Sequence, residues 1–162
     1  MLKTQTKVKK MKECGEAFFE GLSQSLKVVA RTHLELAEKY FAEGKNLVDK
    51  DPVQASEKLY KAAEECVKAL AIHYNLEDVL KSVESRGRWT VKELEKTVLF
   101  VAKKLGEWVL SSWDHAWALH VWGFHEAKFD FEDVKARLQH IEKLVVETKN
   151  VIGCGKSSNG QC

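Results

Sequence analysis

Most of the side chains that could do chemistry lie in one segment of the chain. Positions 108–126 hold four of the five tryptophans and three of the six histidines. An imidazole can act as a general acid or base, or it can bind a metal ion. An indole can stack on a nucleobase or anchor a protein interface. This segment is therefore the first candidate for a functional site.

The spacing of the histidines argues against a metal site. No histidine follows a glutamate by three positions, as in di-iron bundles, or another histidine by four, as in zinc proteases. His115, His120 and His125 are five residues apart. On a regular helix successive rings are therefore turned by about 500° and point in three directions. We expect no metal ligands and no cofactor.

Motifs for covalent or phosphoryl chemistry are missing as well. The sequence contains no glycine-rich phosphate loop and no Gly-x-Ser-x-Gly nucleophile motif. An enzyme alternative, a ribonuclease or phosphotransfer protein, would use Asp114, His115, His125 and Glu126 as an atypical His/Glu site. His115 and Glu126 lie about 16 Å apart along one straight helix, so they converge only through a second helix or a second copy. We expect no catalytic residues.

A regular helix would divide the segment into two faces. One face is apolar and typical of a core, with His120 as a hydrogen-bonded core histidine. The other face is aromatic and histidine-rich, and it comprises Trp108, Ser111, Asp114, His115, Leu119, Trp122, His125 and Glu126. Three interpretations stay open for it: a second core contact, a homodimer surface, or a ligand or nucleotide pocket with Trp122 as a stacking platform.

Two basic stretches could contact phosphate. Arg86 and Arg88 precede Trp89, and arginine binds phosphate bidentately while tryptophan can stack on a base. The alternative is a solvated turn with Trp89 folded onto the bundle. Five lysines fall within residues 1–17, which we interpret as a basic N-terminal arm, either solvated or touching phosphate.

The elements that position these residues are predicted to be helices. Apolar residues recur at helical spacing over residues 18–48, where Gly44 weakens the end of the helix. Asp51 is a good N-cap and Pro52 fits the first helical position. The pair therefore predicts a second helix, which runs to about Tyr74.

Later helix starts are marked in the same way. Thr90 with Glu93 forms a capping-box pattern, and Asp130 predicts the start of the last helix. Whether one helix continues across Gly106 stays open. Strand signals are absent. We predict an all-α fold, an antiparallel up-and-down bundle of about five helices without a sheet, spanning residues 18–150.

Composition limits the classes of function. The 162 residues carry a net charge of +2, and 44% of them are hydrophobic, as expected for one globular domain. A charge so close to zero makes duplex DNA an unlikely partner. No apolar run reaches the roughly 18 residues of a membrane span, so no membrane association is expected.

The cysteines and the C-terminal residues give no indication of a metal-binding or redox role. The four cysteines lack Cys-x-x-Cys spacing, which excludes a zinc ribbon or a thioredoxin-like motif. A reduced, cytoplasmic protein is expected. Residues 151–162 are predicted to be a flexible tail, and whether Cys154 and Cys162 pair there stays open.

Two runs of the sequence resemble a known family. Glu57–Ala71 and Ala116–Glu126 are similar to the helical repeat of the archaeal PaREP family, and the second run contains Leu-His-x-x-Gly-Phe-His-Glu. The resemblance covers roughly Leu34 to Val146. Members of this family look like HEPN-superfamily proteins, which are small helical bundles. The resemblance therefore implies a HEPN-like bundle.

The resemblance does not extend to ribonuclease activity. Active HEPN ribonucleases carry an arginine and, four to six residues further on, a histidine, and none of the four arginines here is followed in this way. We therefore predict a non-catalytic bundle that forms a homodimer and binds a partner: a nucleotidyltransferase, a nucleotide or an RNA. A bundle that binds a small ligand in an apolar pocket is the remaining alternative.

Overall fold

The computed structural model describes the backbone of residues 2–153 and the side chains of residue 16 and residues 20–153. This part of the chain forms six α-helices and one π-helical segment: α1 (Leu2–Leu47), α2 (Pro52–His73), α3 (Glu77–Arg86), α4 (Val91–Leu105), α5 (Trp108–Ala118), the π-helical segment (Leu119–His125) and α6 (Phe131–Gly153). Residues 2–153 contain no strand. The prediction of an all-α bundle is confirmed.

Helix α2 lies at the centre and contacts all the other helices and the π-helical segment. Its buried side includes many alanines, which allow neighbouring helices to approach closely. Gly44 of α1 is one such contact point, because a Cβ there would come 2.9 Å from the Leu59 side chain. Gly44 is buried where α1 packs on α2, and α1 ends shortly after it, at Leu47.

The predicted starts of α2, α4 and α6 are confirmed. Asp51 caps α2, and its Oδ1 accepts a hydrogen bond from the Gln54 amide at 3.0 Å. Thr90 and Glu93 form the capping box of α4. Asp130 Oδ1 accepts hydrogen bonds from two amides in the first turn of α6, at 2.9 and 3.0 Å. Each cap satisfies backbone donors that the helix itself leaves unpaired.

The two glycines between α3 and α5 end helices. Gly87 follows α3 with φ 71°, in the left-handed region where a side chain is strained. Gly106, with φ 116°, separates α4 from α5, so a new helix starts after it. Helix α3 itself was not predicted, because it is short and buries only Val79 fully, which leaves little apolar periodicity to detect.

The ends of the described chain differ from the sequence prediction. Helix α1 begins at Leu2, so the backbone of the predicted arm continues the first helix. Helix α6 includes residues 151–153 of the predicted tail. Cys154 and Cys162 lie outside the described residues. Among the helices that the structure describes, none combines the length and apolar character needed to cross a membrane.

Candidate functional site

The histidine-rich end of the tryptophan segment is a π-helix. From Leu119 to His125 the backbone turns more widely than an α-helix, with hydrogen bonds between residues five apart. Gly123 lies at the contact with α2, where a Cβ would come 2.3 Å from Ser56 Oγ. Only glycine allows this close approach. Such π-helical turns are frequent at functional sites.

The wide turn brings His120 and His125 together. Their Nε2 atoms are 3.2 Å apart, and their ring planes are inclined by 84°. The expectation that these two histidines point in different directions was wrong, because it assumed a regular α-helix. Residues five apart lie on the same side of a π-helix, whereas they diverge on an α-helix.

Helix α2 supplies the other side of the site. His120 stacks on Tyr60 with ring centroids 4.0 Å apart. His120 Nδ1 lies 3.6 Å from Glu57 Oε2, and neither atom has a hydrogen-bond partner among the described residues. Lys61 Nζ lies 3.2 Å from Glu57 Oε1. The Glu57 carboxylate therefore faces a lysine on one oxygen and an imidazole on the other.

Burial and neighbouring charges favour the uncharged forms of the stacked pair His120 and Tyr60. Burial lowers the pKa of His120, and the neighbouring His125 lowers it further, while Glu57 opposes the shift. Burial also raises the pKa of Tyr60 well above its ordinary value. At neutral pH, His120 is therefore an uncharged imidazole that stacks on an uncharged phenol.

Tryptophans form the inner wall of the site. Trp113 and Trp117 have ring centroids 6.0 and 6.2 Å from that of Tyr60. Trp113 is buried, and its indole N–H donates a hydrogen bond of 2.6 Å to Glu95. The polar end of this large side chain is thereby satisfied inside the core. This wall reaches His120, since the ring centroids of Trp117 and His120 are 5.4 Å apart.

His115 is paired elsewhere. Its ring stacks on His140 of α6, with centroids 3.7 Å apart and planes inclined by 14°. His115 Nδ1 donates a hydrogen bond of 2.7 Å to the Ser111 carbonyl oxygen. Burial and the His115 ring lower the pKa of His140. His115 and His125 thus belong to two different pairs, and the structure does not bring them together as the enzyme alternative requires.

The aromatic face predicted from the sequence is only partly exposed. Leu119 is fully buried in the core, so for this residue the structure agrees with a second core contact and not with a partner or ligand surface. The reason is that the segment is covered both by α2 and by α6. Trp108 is half-buried beneath Lys143 and donates its indole N–H to the Leu105 carbonyl. The exposed members of the face are Ser111, Asp114, Trp122, His125 and Glu126.

One arginine of the basic loop before α4 has a structural role. The Arg86 guanidinium lies 2.7 Å from the buried Glu93 carboxylate. The Thr90 hydroxyl and Arg86 together lower the pKa of Glu93 to about 2. Arg86 therefore neutralises a buried carboxylate and is not a free cation for phosphate. Arg88 is exposed, and Trp89 packs against the core.

Sequence reasoning missed the residues that α2 contributes. Neither Glu57 nor Tyr60 was singled out in the sequence as a candidate site residue. The signal in the sequence was Gly123, which lies between two histidines five positions apart. A glycine there permits a wide helical turn that packs against a neighbouring helix. Among the side chains that the structure describes, at residue 16 and residues 20–153, no group of three or more His, Cys, Asp or Glu could hold a metal ion.

Comparison with known proteins places the chain in a family. The sequence profile of the archaeal PaREP1/PaREP8 family matches residues 32–145. A crystal structure of a protein from Sulfolobus solfataricus is 38% identical, with a TM-score of 0.67, over 72% of this chain and 95% of that one. The solution structure of the Orf c02003 protein is also 38% identical, with a TM-score of 0.63, over 72% of this chain and 90% of that one.

These two structures share one structural-genomics target name. No curated protein matches the chain. The family match spans well over half of the 162 residues, and it includes both α2 and the π-helical segment. It confirms the resemblance found in the sequence, and the chain belongs to the archaeal PaREP1/PaREP8 family.

Proposed function

We propose that this protein is a non-catalytic helical bundle that forms a homodimer through the surface around Trp122. The Trp122 surface consists of Trp122, Glu126 and Lys128, which are all exposed. The observation that carries the proposal is the exposure of Trp122, whose large indole is 53% accessible in the single chain. Tryptophan in such a position is the residue type most enriched at the energetic centres of protein interfaces.

The Trp122 surface is rigid, which lowers the entropic cost of association. Gly123 packs directly on α2, and His120 stacks on Tyr60. The Trp122 carbonyl accepts a hydrogen bond of 2.8 Å from the Lys128 amide. A surface whose backbone is already fixed loses little freedom on binding. Phe131, at the start of α6, is a second exposed aromatic side chain, 47% accessible.

The charges around Trp122 favour a second copy over a nucleic acid. Glu126, Lys128, Asp130 and Glu132 are exposed and lie within ten positions of Trp122 along the chain. Because this stretch carries both positive and negative side chains, charges of one copy can pair with opposite charges of a second copy across a two-fold axis. The excess of carboxylates repels a polyanion, since RNA binding depends on neutralising phosphates with lysine and arginine. A homodimer is therefore the occupant that the surface fits best.

Light scattering over a concentration series tests this proposal. We expect the wild-type protein to shift from monomer to dimer as concentration rises. Trp122→Ala should weaken dimerisation about 30-fold, equivalent to about 2 kcal/mol, because it removes the central anchor. Leu99→Ala is the matched control, since Leu99 is 50% exposed on α4, outside the Trp122 surface, and its loss should leave dimerisation unchanged.

Two results would overturn the proposal. The first is a wild-type protein that stays monomeric, or a Trp122→Ala variant that dimerises as the wild type does. The second is a salt-sensitive, heavier complex formed only with a short RNA, which would favour nucleic-acid binding through the exposed Arg88 and the lysines of residues 1–17. The nucleotidyltransferase partner and the HEPN-like relationship remain predictions from the resemblance.

A further inference from the structure

We propose that His120 and His125 bind one divalent transition-metal ion of the zinc type through their Nε2 atoms, with Glu57 as the residue that positions His120. This inference does not depend on the proposed homodimer. It rests on the distance between two imidazole nitrogens, on the carboxylate behind one ring, and on the rigidity of the π-helical segment.

The distance between the two nitrogens suits a shared metal ion. Zinc binds imidazole nitrogen at about 2.0–2.1 Å in tetrahedral geometry, which separates two such nitrogens by about 3.3–3.4 Å. The observed distance between Nε2 of His120 and Nε2 of His125 is 3.2 Å, that of a hydrogen bond between the two rings, which a bound metal ion would replace. The ring centroids are only 4.5 Å apart, so the rings meet at an angle and are not in line. Both lone pairs can therefore turn towards one point.

Glu57 occupies the position of a carboxylate that orients a metal-binding histidine. Such histidines almost always donate their other ring N–H to a carboxylate, a carbonyl or a water, which fixes the tautomer. Glu57 Oε2 faces His120 Nδ1 at 3.6 Å, and both atoms are buried without another hydrogen-bond partner among the described residues. A proton on Nδ1, held towards Glu57, leaves the lone pair of Nε2 free for a metal ion.

The chain supplies two ligands, and the remaining coordination positions of the metal ion stay open. No third His, Cys, Asp or Glu joins the pair in the part of the chain that the structure describes. Water then completes the coordination sphere, as it does at open zinc sites. His125 is exposed, so an ion can enter from solvent. Imidazole ligands suit zinc, copper and nickel better than magnesium or calcium.

The His115–His140 pair provides an internal control. Its rings lie face to face, 3.7 Å apart and nearly parallel, so their nitrogens do not converge on one point. His115 Nδ1 is also committed to the Ser111 carbonyl. Both pairs have the same chemical composition, but only the His120–His125 pair has the geometry of a chelate.

Titration of the full-length protein with Zn²⁺, followed by ¹⁵N NMR of the histidine rings and by calorimetry, tests the inference. We expect Zn²⁺ to shift the Nε2 signals of His120 and His125 together. His125→Gln should abolish the shift at His120. His115→Gln should leave it unchanged. Glu57→Gln should weaken binding about 10- to 100-fold and alter the His120 tautomer ratio, which a purely structural role would not do.

The NMR readout separates this site from metal bound by cysteine elsewhere in the chain. The inference is overturned if Zn²⁺ leaves the His120 and His125 signals in place, or if His125→Gln binds Zn²⁺ at His120 as tightly as the wild type. Trp122→Ala should bind Zn²⁺ normally. Loss of dimerisation with retained Zn²⁺ binding, or the reverse, therefore tells the two proposals apart.

Discussion

At the scale of single residues, Gly123 decides how the site is built. The absence of a side chain lets the π-helical segment lie directly on Ser56 of α2. This contact holds His120 against Tyr60 and brings His125 beside it. Any side chain at this position would push the π-helical segment away from α2.

Gly123→Ala should destabilise the protein by about 1–3 kcal/mol, because the added Cβ overlaps Ser56 and the packed helices must shift. Urea unfolding measures this difference. Gly21→Ala is the control: nothing lies within 4 Å of a Cβ at that position, so stability should stay the same or rise through better helix propensity. Equal stability of Gly123→Ala and the wild type would contradict the described contact.

At the scale of elements, α3 depends on α4 for its position. Ser82 and Arg86 of α3 both contact the Glu93 carboxylate, at 3.2 and 2.7 Å. Glu93 also closes the capping box with Thr90. One buried carboxylate therefore joins the end of α3, the loop after it and the start of α4. A helix with so little buried apolar surface needs such a polar connection.

The Arg86–Glu93 ion pair predicts a specific pH dependence. The folded pKa of Glu93 is about 2, below its ordinary value of 4.5. The stability from this carboxylate is therefore complete above about pH 4.5 and is lost as the pH falls through 2. Arg86→Gln should lower the free energy of unfolding at pH 7, and its difference from the wild type should shrink towards pH 2.

Urea unfolding of both proteins between pH 7 and pH 2 measures this effect. Arg88→Gln is the matched control, because Arg88 is an exposed neighbour in the same loop. It should follow the wild type at every pH. A constant difference between Arg86→Gln and the wild type across this range would show that the arginine acts through packing and not through the charge of Glu93.

At the scale of the whole molecule, α2 is the element on which all the others pack. Cys66, near its middle, is fully buried, and burial raises the pKa of its thiol to about 12. A thiol in this state is neither accessible nor ionised, so it should react with iodoacetamide only after the bundle opens.

Mass spectrometry of the peptide that contains Cys66 tests this expectation. Modification should be negligible in the folded protein and complete in the urea-unfolded chain, and its rate should follow global unfolding. Modification of folded protein at the rate of the unfolded chain would show that α2 is not a protected centre. The other three cysteines lie in different peptides and do not interfere.

The sequence by itself determined which parts of this chain become helices and where most of them begin. Apolar spacing and the Asp51, Thr90 and Asp130 caps act within a few residues, so they are visible in the sequence alone. The resemblance of two runs to the PaREP family was also recognisable from the sequence alone. Helix α3 was not predicted from the sequence, because its position depends on a contact with α4.

The tertiary structure alone decided which side chains form a site. A helical wheel separates His120 from His125, and only the packing of Gly123 on α2 produces the π-helical turn that joins them. The same packing buries Leu119 and turns Glu57 towards an imidazole. These contacts join residues that are far apart in the chain. Their energies depend on distances in three dimensions, which cannot be derived from the spacing of residues in the sequence.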